Sequence, residues 1–313
     1  LTHFGAPDYL YWDWASNSND PYSPTGGFEL YISHLAYVNP KPEAKPPEWK
    51  NRFFKDGGLA TFRSGWESDD RFLVLMGENG AARKTVHDHT DATSFVMAAY
   101  GDLLLTDTGY YKPSSLGNAV TAAAGSHNLI LIDGEGAPEK GLLNDWGDAD
   151  AFIENTIDSN ELAYAESRQE YRETEVIRGV VFVRERYFII ADLLKSALNK
   201  ERNYKFRLHA FAGKDLDGSV ELEEYGPHIK KARGSLQVFT TTSLGRPTLK
   251  EPNFEEKKSP HVHKLIKSEG HHTVTDSSLT GKSPDFLTVI APYKTGETSG
   301  IDAPLKISPI ATT

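Results

Sequence analysis

Apolar and polar residues alternate along the chain from about residue 57, and turn signals such as GENG, DGEG and KDLDG separate short apolar runs. Alternation with a period of two is typical of β-strands that bury one face. The pattern predicts fifteen strands, at 59–63, 71–76, 94–99, 103–106, 128–132, 151–157, 164–171, 175–182, 187–193, 205–212, 219–225, 234–242, 261–267, 271–275 and 286–291.

The number and spacing of these strands predict the fold class. About fifteen strands at nearly regular spacing, with few helical patterns between them, indicate an all-β protein built as a large antiparallel β-sandwich. The alanine-rich segment 119–124 (AVTAAA) is the best candidate for a short helix.

The first fifty residues differ from the rest of the chain. They hold an aromatic run at 9–14, a loop-like stretch, and a segment at 28–38 that fits a short helix or a strand. Four prolines then follow in NPKPEAKPPEWK, which is typical of an extended linker. We therefore predict an irregular or helical N-terminal segment with its linker at 1–50, and a β-sandwich domain at 51–313.

Composition excludes several classes of function. The 313 residues include no cysteine, which rules out disulfides, thiolate zinc sites and cysteine nucleophiles. The net charge of −10 argues against nucleic acid as a main partner. No apolar run is long enough for a membrane span. The chain begins at Leu1 without a signal peptide, so we expect a mature or truncated product.

The run HDHTD at 87–91 is the densest group of candidate functional residues. On a strand, His87 and His89 would point to one face, whereas a bend would split them between two roles. Asp107 ends an apolar strand, and His127 precedes another. Three neighbouring strands would then each present a ligand at a strand end. Two histidines and one aspartate, with water in the fourth position, suit zinc.

Several of these residues also have an ordinary structural interpretation. The histidines would then lie on the surface at strand ends, and Asp107 would cap a turn. Tyr110 and Tyr111 follow Asp107 closely, and they fit either proton transfer and sugar stacking or simple loop packing.

The remaining histidines are weaker candidates. Those at 261, 263, 271 and 272 have no carboxylate at a comparable position, which favours an exposed polar strand face. His209 lies in the apolar alternation FRLHAFA, and we expect a packed, hydrogen-bonded side chain there. No serine-nucleophile elbow, phosphate-binding loop or dinucleotide fingerprint is present, and the paired acids at 69–70 and 223–224 fit solvated turns and faces.

One stretch of the sequence resembles a known family. Residues 62–136 carry FRSGW, then HDHTDATSFVMAAYGDLLLTDTGYY, then GSHNLILIDGEG, and they resemble the C-terminal β-domain of the heparinase II/III-like polysaccharide lyases. The segment 184–193 (RERYFIIADL) is similar to the family's aromatic strand that ends in aspartate. The resemblance extends over about 57–293 and is most specific in the first block.

This resemblance implies a fold, a reaction and a zinc site. Full-length members pair an N-terminal (α/α) toroid with the β-sandwich, and they cleave acidic polysaccharides by β-elimination in the cleft between the two. A base removes the C5 proton of the uronic acid, an acid protonates the leaving 4-oxygen, and the carboxylate is neutralised. Carried over by position, the zinc ligands are His89, Asp107 and His127.

The resemblance also implies catalytic and substrate-binding residues. His87 would face the cleft as a catalytic group. The family's tyrosine between the second and third zinc ligands is missing, so Tyr111 or Tyr110 would replace it. Arg63 and Asn128 lie in matching segments and are the substrate-binding candidates, although Arg63 equally fits a buried ion pair.

Three functions remain open at this point. The first is a polysaccharide lyase, or its β-half, with structural zinc, acting on a uronic-acid polymer of alginate or glycosaminoglycan type. Nothing in the chain resembles the toroid, which would come from a separate domain or chain. The second function is a non-catalytic carbohydrate-binding or assembly module, and the third is a metal-dependent hydrolase. We expect a secreted or periplasmic bacterial protein without nucleic-acid or membrane partners.

Overall fold

The computed structural model describes residues 45–79, 89–108, 122–138, 150–213, 216–249, 261–263, 268–270 and 272–299. The strands in these ranges are β1 (Arg52–Phe54), β2 (Leu59–Arg63), β3 (Phe72–Met76), β4 (Phe95–Ala99), β5 (Asp102–Leu105), β6 (Ile130–Ile132), β7 (Ala151–Asp158), β8 (Leu162–Tyr171), β9 (Thr174–Val183), β10 (Tyr187–Ser196), β11 (Arg202–Ala210), β12 (Ser219–Glu223), β13 (Gly226–Lys230), β14 (Gly234–Thr241), β15 (Thr248–Leu249), β16 (His261–His263), β17 (Ser268–Gly270), β18 (Thr273–Gly281) and β19 (Asp285–Lys294). A 3₁₀ turn at Ala124–Ser126 precedes β6.

Within the described ranges the strands form two large antiparallel sheets and a small hairpin. The first sheet has the order β1-β2-β3-β4-β5-β11-β18-β15, with β6 also paired to β11. The second has the order β12-β13-β14-β19-β10-β9-β8-β7, and β16 pairs with β17. The predicted fold class, an all-β antiparallel sandwich, is confirmed.

The core forms because alternate residues of the strands point inward. In β2 and β3 every second side chain is buried, as the alternation predicts. Phe62 of the first sheet meets Phe188 of the second edge to face, with ring centroids 6.5 Å apart. Phe188 in turn stacks on Phe182 at 4.3 Å. Aromatic contacts of this kind join the two inner faces.

The described strands differ from the predicted ones in number and at some ends. The strands β1, β13, β15 and β17 were not predicted from the sequence. β13 contains Pro227, which weakens a strand pattern because proline cannot donate to the ladder. Only Ala122–Ala124 of the predicted helix 119–124 lie in the described residues, and Ala124 begins the 3₁₀ turn.

The chain divides into two units, Leu1–Lys50 and Asn51–Thr313. Every element above belongs to the second unit, and the first is described only from residue 45. Among the residues that the structure describes, no helix has the length and apolar character that a membrane crossing requires.

Candidate metal centre

Four potential metal ligands converge at one end of the first sheet: His89, Asp91, Asp107 and His127. His89 and Asp91 precede β4, Asp107 follows β5, and His127 lies between the 3₁₀ turn and β6. The three segments thus meet at a sheet end, as the sequence predicts for His89, Asp107 and His127.

Backbone hydrogen bonds beside the ligands hold these segments together. The Thr90 amide donates to the Ala122 carbonyl at 2.7 Å, and the Thr108 amide donates to the Ser126 carbonyl at 3.3 Å. Each amide belongs to a direct chain neighbour of a candidate ligand. The arrangement of ligands is therefore fixed by backbone contacts as well as by the side chains.

The ligand atoms are close enough to share one ion. One ligand atom from each of the four residues lies within 4.8 Å of the others. His127 Nδ1 is 3.7 Å from Asp107 Oδ2, and the rings of His89 and His127 have centroids 5.3 Å apart. Two imidazoles and two carboxylates form a nitrogen and oxygen set that suits a tetrahedral divalent cation such as zinc.

The burial of His127 is the strongest evidence that this site binds a ligand. Its side chain has no exposed surface, yet neither ring nitrogen has a hydrogen-bond partner among the described residues. A buried polar atom without a partner is costly and rare. Burial lowers the pKa of the imidazole, and the carboxylates of Asp91 and Asp107 oppose this shift. A neutral imidazole is the form that coordinates metal.

Asp91 is the ligand candidate that the sequence analysis passed over in favour of water. Its Oδ1 is buried and has no hydrogen-bond partner in the described part of the chain. The HDHTD run contains this aspartate two residues after His89, a spacing that would put both on one face of a strand, but we considered that spacing only for His87 and His89. In the structure a turn follows Asp91, in which the Ser94 amide donates to the Asp91 carbonyl at 2.8 Å before β4 begins.

Asn128 stabilises the segments of the metal cluster through buried hydrogen bonds. Its amide nitrogen donates to the carbonyls of Phe95 at 2.7 Å and Thr106 at 2.8 Å, and its Oδ1 accepts from the His209 amide at 2.6 Å. The residue is fully buried, so it has no exposed surface from which to contact a substrate. These bonds give Asn128 a structural role, which differs from the substrate contact that the resemblance implies.

A buried pair of histidines lies next to Asn128. His209 Nδ1 is 2.6 Å from His272 Nε2, and His209 Nε2 is 3.2 Å from the Gly125 carbonyl. His209 is packed and hydrogen-bonded, as predicted. His272 is 4 % exposed, so the expectation of an exposed polar face at this position is wrong. The side chains at 261, 263 and 271 lie outside the described residues.

Thr93 occupies a strained position between the cluster and β4. Its φ of 69° lies in the left-handed region, which a β-branched residue rarely adopts. Its carbonyl accepts a hydrogen bond from the buried guanidinium of Arg178 at 2.7 Å. Strain of this kind persists only where surrounding contacts impose it, and here it sits two residues from Asp91.

The other predicted site residues do not join the cluster in the described structure. Arg63 lies toward the opposite end of the sheet, because it pairs with Phe72, which pairs with Ala98 near the end of β4. Its guanidinium stacks on the rings of Trp66 and Phe72, and burial lowers its pKa to about 10 while Asp70 opposes the shift. His87, Tyr110 and Tyr111 lie outside the described residues.

The sequence of the chain matches the model of a known protein family. Residues 46–281 match the family model described as heparinase II/III-like, C-terminal. No curated protein sequence matches the chain significantly.

Solved structures give the same fold. Heparan sulfate lyase HepC from Pedobacter heparinus aligns with a TM-score of 0.65 at 15% identity, over 93% of this chain and 43% of that one. A heparinase III gene product aligns with a TM-score of 0.62 at 16% identity, over 91% and 41%. Another heparinase III aligns with a TM-score of 0.67 at 13% identity, over 90% and 42%. The chain thus spans about two fifths of the length of these proteins.

Proposed function

The chain belongs to the heparinase II/III-like family through its C-terminal domain, and from that premise we propose that it is the β-sandwich part of a polysaccharide lyase. The proposed reaction is β-elimination at a uronic-acid residue of an acidic polysaccharide. The observation that carries the proposal is the cluster of His89, Asp107 and His127, in which a buried imidazole lacks any described hydrogen-bond partner.

We propose zinc as the ion of this cluster. His89, Asp107 and His127 would hold it, with Asp91 in reach as the fourth ligand. Bound zinc would tie the three segments together and add positive charge to this end of the sheet. Coordination of zinc by one ring nitrogen of His127 would also give that buried atom a partner.

The cleft-side chemistry is assigned to His87 and Tyr111, with Tyr110 as the alternative tyrosine. Chain connectivity supports this assignment, because residue 87 is two positions from His89 and residue 111 is four positions from Asp107. At about 3.6 Å per residue these groups start within about 7 and 14 Å of a candidate ligand. A histidine and a tyrosine at such a site can serve as acid and base in an elimination.

The substrate class proposed is a uronic-acid polymer of glycosaminoglycan or alginate type. The neighbouring structures include a heparan sulfate lyase, which favours the first of these. A separate (α/α) toroid, in another domain or chain, would complete the cleft, since this chain spans about two fifths of its neighbours. Residues 1–50 would connect to it. The proposed location of such an enzyme is extracellular or periplasmic.

The test joins a metal measurement to a product measurement. Elemental analysis of the purified chain is expected to find about one zinc, and the His127→Ala variant is expected to lose it. A longer protein that contains the toroid is then incubated with heparan sulfate and with alginate. Elimination leaves a C4–C5 double bond that absorbs in the ultraviolet, whereas hydrolysis leaves saturated ends.

The outcomes separate the three functions. Unsaturated products establish the lyase. Saturated products that disappear on chelation identify the metal-dependent hydrolase. Binding of oligouronates without turnover, unchanged in the His87→Ala variant, identifies the carbohydrate-binding module.

A further inference from the structure

A cavity of about 220 Å³ opens at the other end of the sandwich from the metal cluster. Its walls include Arg71, Tyr100, Arg186, Tyr187 and Tyr293. These residues come from β10, β19, the segment before β3, and the turns at β4–β5 and β9–β10. The cavity therefore lies where both sheets meet.

The strand β4 separates this cavity from the metal cluster. Asp91 precedes β4 and Tyr100 follows it. Five strand residues at about 3.3 Å each place roughly 15 Å between the two sites. A ligand in the cavity would therefore not touch the metal ligands.

Two arginines of the cavity lack the carboxylate partners that most arginines of this chain have. Among the described residues, Arg71 and Arg186 form no ion pair, whereas Arg184, Arg233 and Arg246 each pair with an acid at 2.6–2.7 Å. Arg71 stacks on Tyr100 at 4.8 Å and donates to its hydroxyl, but its buried Nε has no partner. In a protein of net charge −10, two unpaired cations at one cavity point to an anionic ligand.

Tyr293 is held in place by a relay of side chains on the second sheet. Its hydroxyl contacts His228 Nε2, and His228 Nδ1 donates to Glu223 at 2.7 Å. Gln237 donates to the same carboxylate at 2.9 Å. These contacts fix the position of the Tyr293 hydroxyl, whose oxygen has two lone pairs and can accept a further hydrogen bond.

These groups match the parts of an acidic sugar. Arginine forks bind carboxylates and sulfates, tyrosine rings pack on the apolar faces of pyranoses, and a phenol oxygen accepts a sugar hydroxyl. Glu297 also lines the cavity and is exposed; its carboxylate offsets one of the two positive charges there and can accept a hydrogen bond from a sugar hydroxyl. The volume is below that of sites for drug-sized ligands, so it suits one ring.

We propose that this cavity is an accessory binding site for one carboxylated or sulfated sugar residue of an acidic polysaccharide chain. Arg71 and Arg186 bind the anionic group, Tyr100 and Tyr187 contact the ring, and Tyr293 accepts a hydroxyl. The site shares only its ligand class with the proposed function and requires neither the metal nor the cleft.

Calorimetric titration of the whole chain with a heparan sulfate hexasaccharide tests this site. The hexasaccharide is expected to bind, and maltohexaose, which is neutral, is not. Arg186→Gln is expected to weaken binding about tenfold because it removes one charge-assisted contact, and a double variant with Arg71→Gln is expected to weaken it further. Arg184→Gln removes the same charge from the same turn outside the cavity, and it should bind as the wild type does.

Each other result overturns the proposal. Equal losses in Arg184→Gln and Arg186→Gln would mean a general charge effect. Competition by millimolar sodium sulfate alone would mean a simple anion site. Arg186 is exposed, so its variant remains informative even if Arg71→Gln fails to fold. Unchanged binding in Arg186→Gln, together with unsaturated products from the longer protein that contains the toroid, would remove this site and leave the proposed lyase standing.

Discussion

Arg178 and Asp192 form a bidentate ion pair between neighbouring strands of the second sheet. Nε lies 2.7 Å from Oδ1 and Nη2 lies 3.2 Å from Oδ2, and neither side chain has any exposed surface. The remaining Nη1 donates to the carbonyls of Thr93 at 2.7 Å and Asn128 at 2.6 Å. One guanidinium of the second sheet thus holds two of the three segments that form the metal cluster.

Removal of Arg178 is expected to be strongly destabilising. Arg178→Met leaves the buried Asp192 carboxylate without its partner and two carbonyls without a donor, which costs about 3–5 kcal/mol. Urea denaturation measures the loss. The matched control is Arg184→Met, whose pair with Glu161 is 70% exposed on both sides and contributes less than about 1 kcal/mol. Similar losses in the two variants would contradict a central role for the buried pair.

Asn128 is expected to tolerate no change of its amide to a carboxylate. In Asn128→Asp the two bonds to the carbonyls of Phe95 and Thr106 lose their donor and become repulsive, so we expect a loss of about 3 kcal/mol or more. Thermal unfolding gives the measurement. Asn199→Asp serves as the control, because the exposed Asn199 accepts from Lys282 and a carboxylate can do the same. A stable Asn128→Asp protein would disprove the assigned bonding.

The buried histidine pair predicts a loss of stability in mild acid. Burial holds the pKa of His209 well below its usual value of 6.5, with the neighbouring His272 as the next cause. The unfolded chain therefore binds the proton first, so this stability is complete above pH 6.5 and is lost as the pH falls toward the folded-state pKa.

The urea midpoint should therefore fall between about pH 7.5 and about pH 5. The fall should be smaller in His209→Gln, which removes the buried titrating group. An identical pH profile in the wild type and His209→Gln would exclude His209 as the cause.

Zinc is expected to stabilise the chain through the four-residue cluster. At a concentration about 100 times its dissociation constant, a ligand adds about 2.7 kcal/mol, which corresponds to a rise of roughly 5–10 °C in the unfolding midpoint for a domain of this size. The shift should vanish in His127→Ala. Asp91→Asn distinguishes a fourth protein ligand from water, since only the former predicts weaker binding.

The control for that measurement is the second group of potential ligands in the described residues, Glu221, Glu223 and His228. Its acids are already engaged, because Glu221 pairs with Lys230 at 2.8 Å and Glu223 with His228 at 2.7 Å. Glu221→Gln should leave the zinc-induced shift unchanged. A loss of the shift in this variant would move the ion to the second sheet.

The period-two alternation was enough to predict the sandwich, because burial of one sheet face imposes that period on each strand directly. Strands such as Leu59–Arg63 appear in the structure with the predicted bounds. The alternation does not predict the strand Gly226–Lys230, because a proline interrupts the pattern there. The neighbouring strands still form backbone hydrogen bonds with it. The sequence pattern of this strand is weak because its stability comes from hydrogen bonds to the two neighbouring strands.

The sequence by itself determined that Asp107 and His127 each stand beside an apolar strand, and the family resemblance added His89 to them. Strand ends that share a sheet edge bring such residues together. Only the tertiary structure decided that Asp91 joins them, because the equal spacing of His87, His89 and Asp91 does not show which of these residues face the other two segments. The tertiary structure also decided that Arg178 meets Asp192, and that Arg71 and Arg186 line one cavity. Their positions depend on strand register and sheet packing, which join residues far apart in the chain and leave no local period in the sequence.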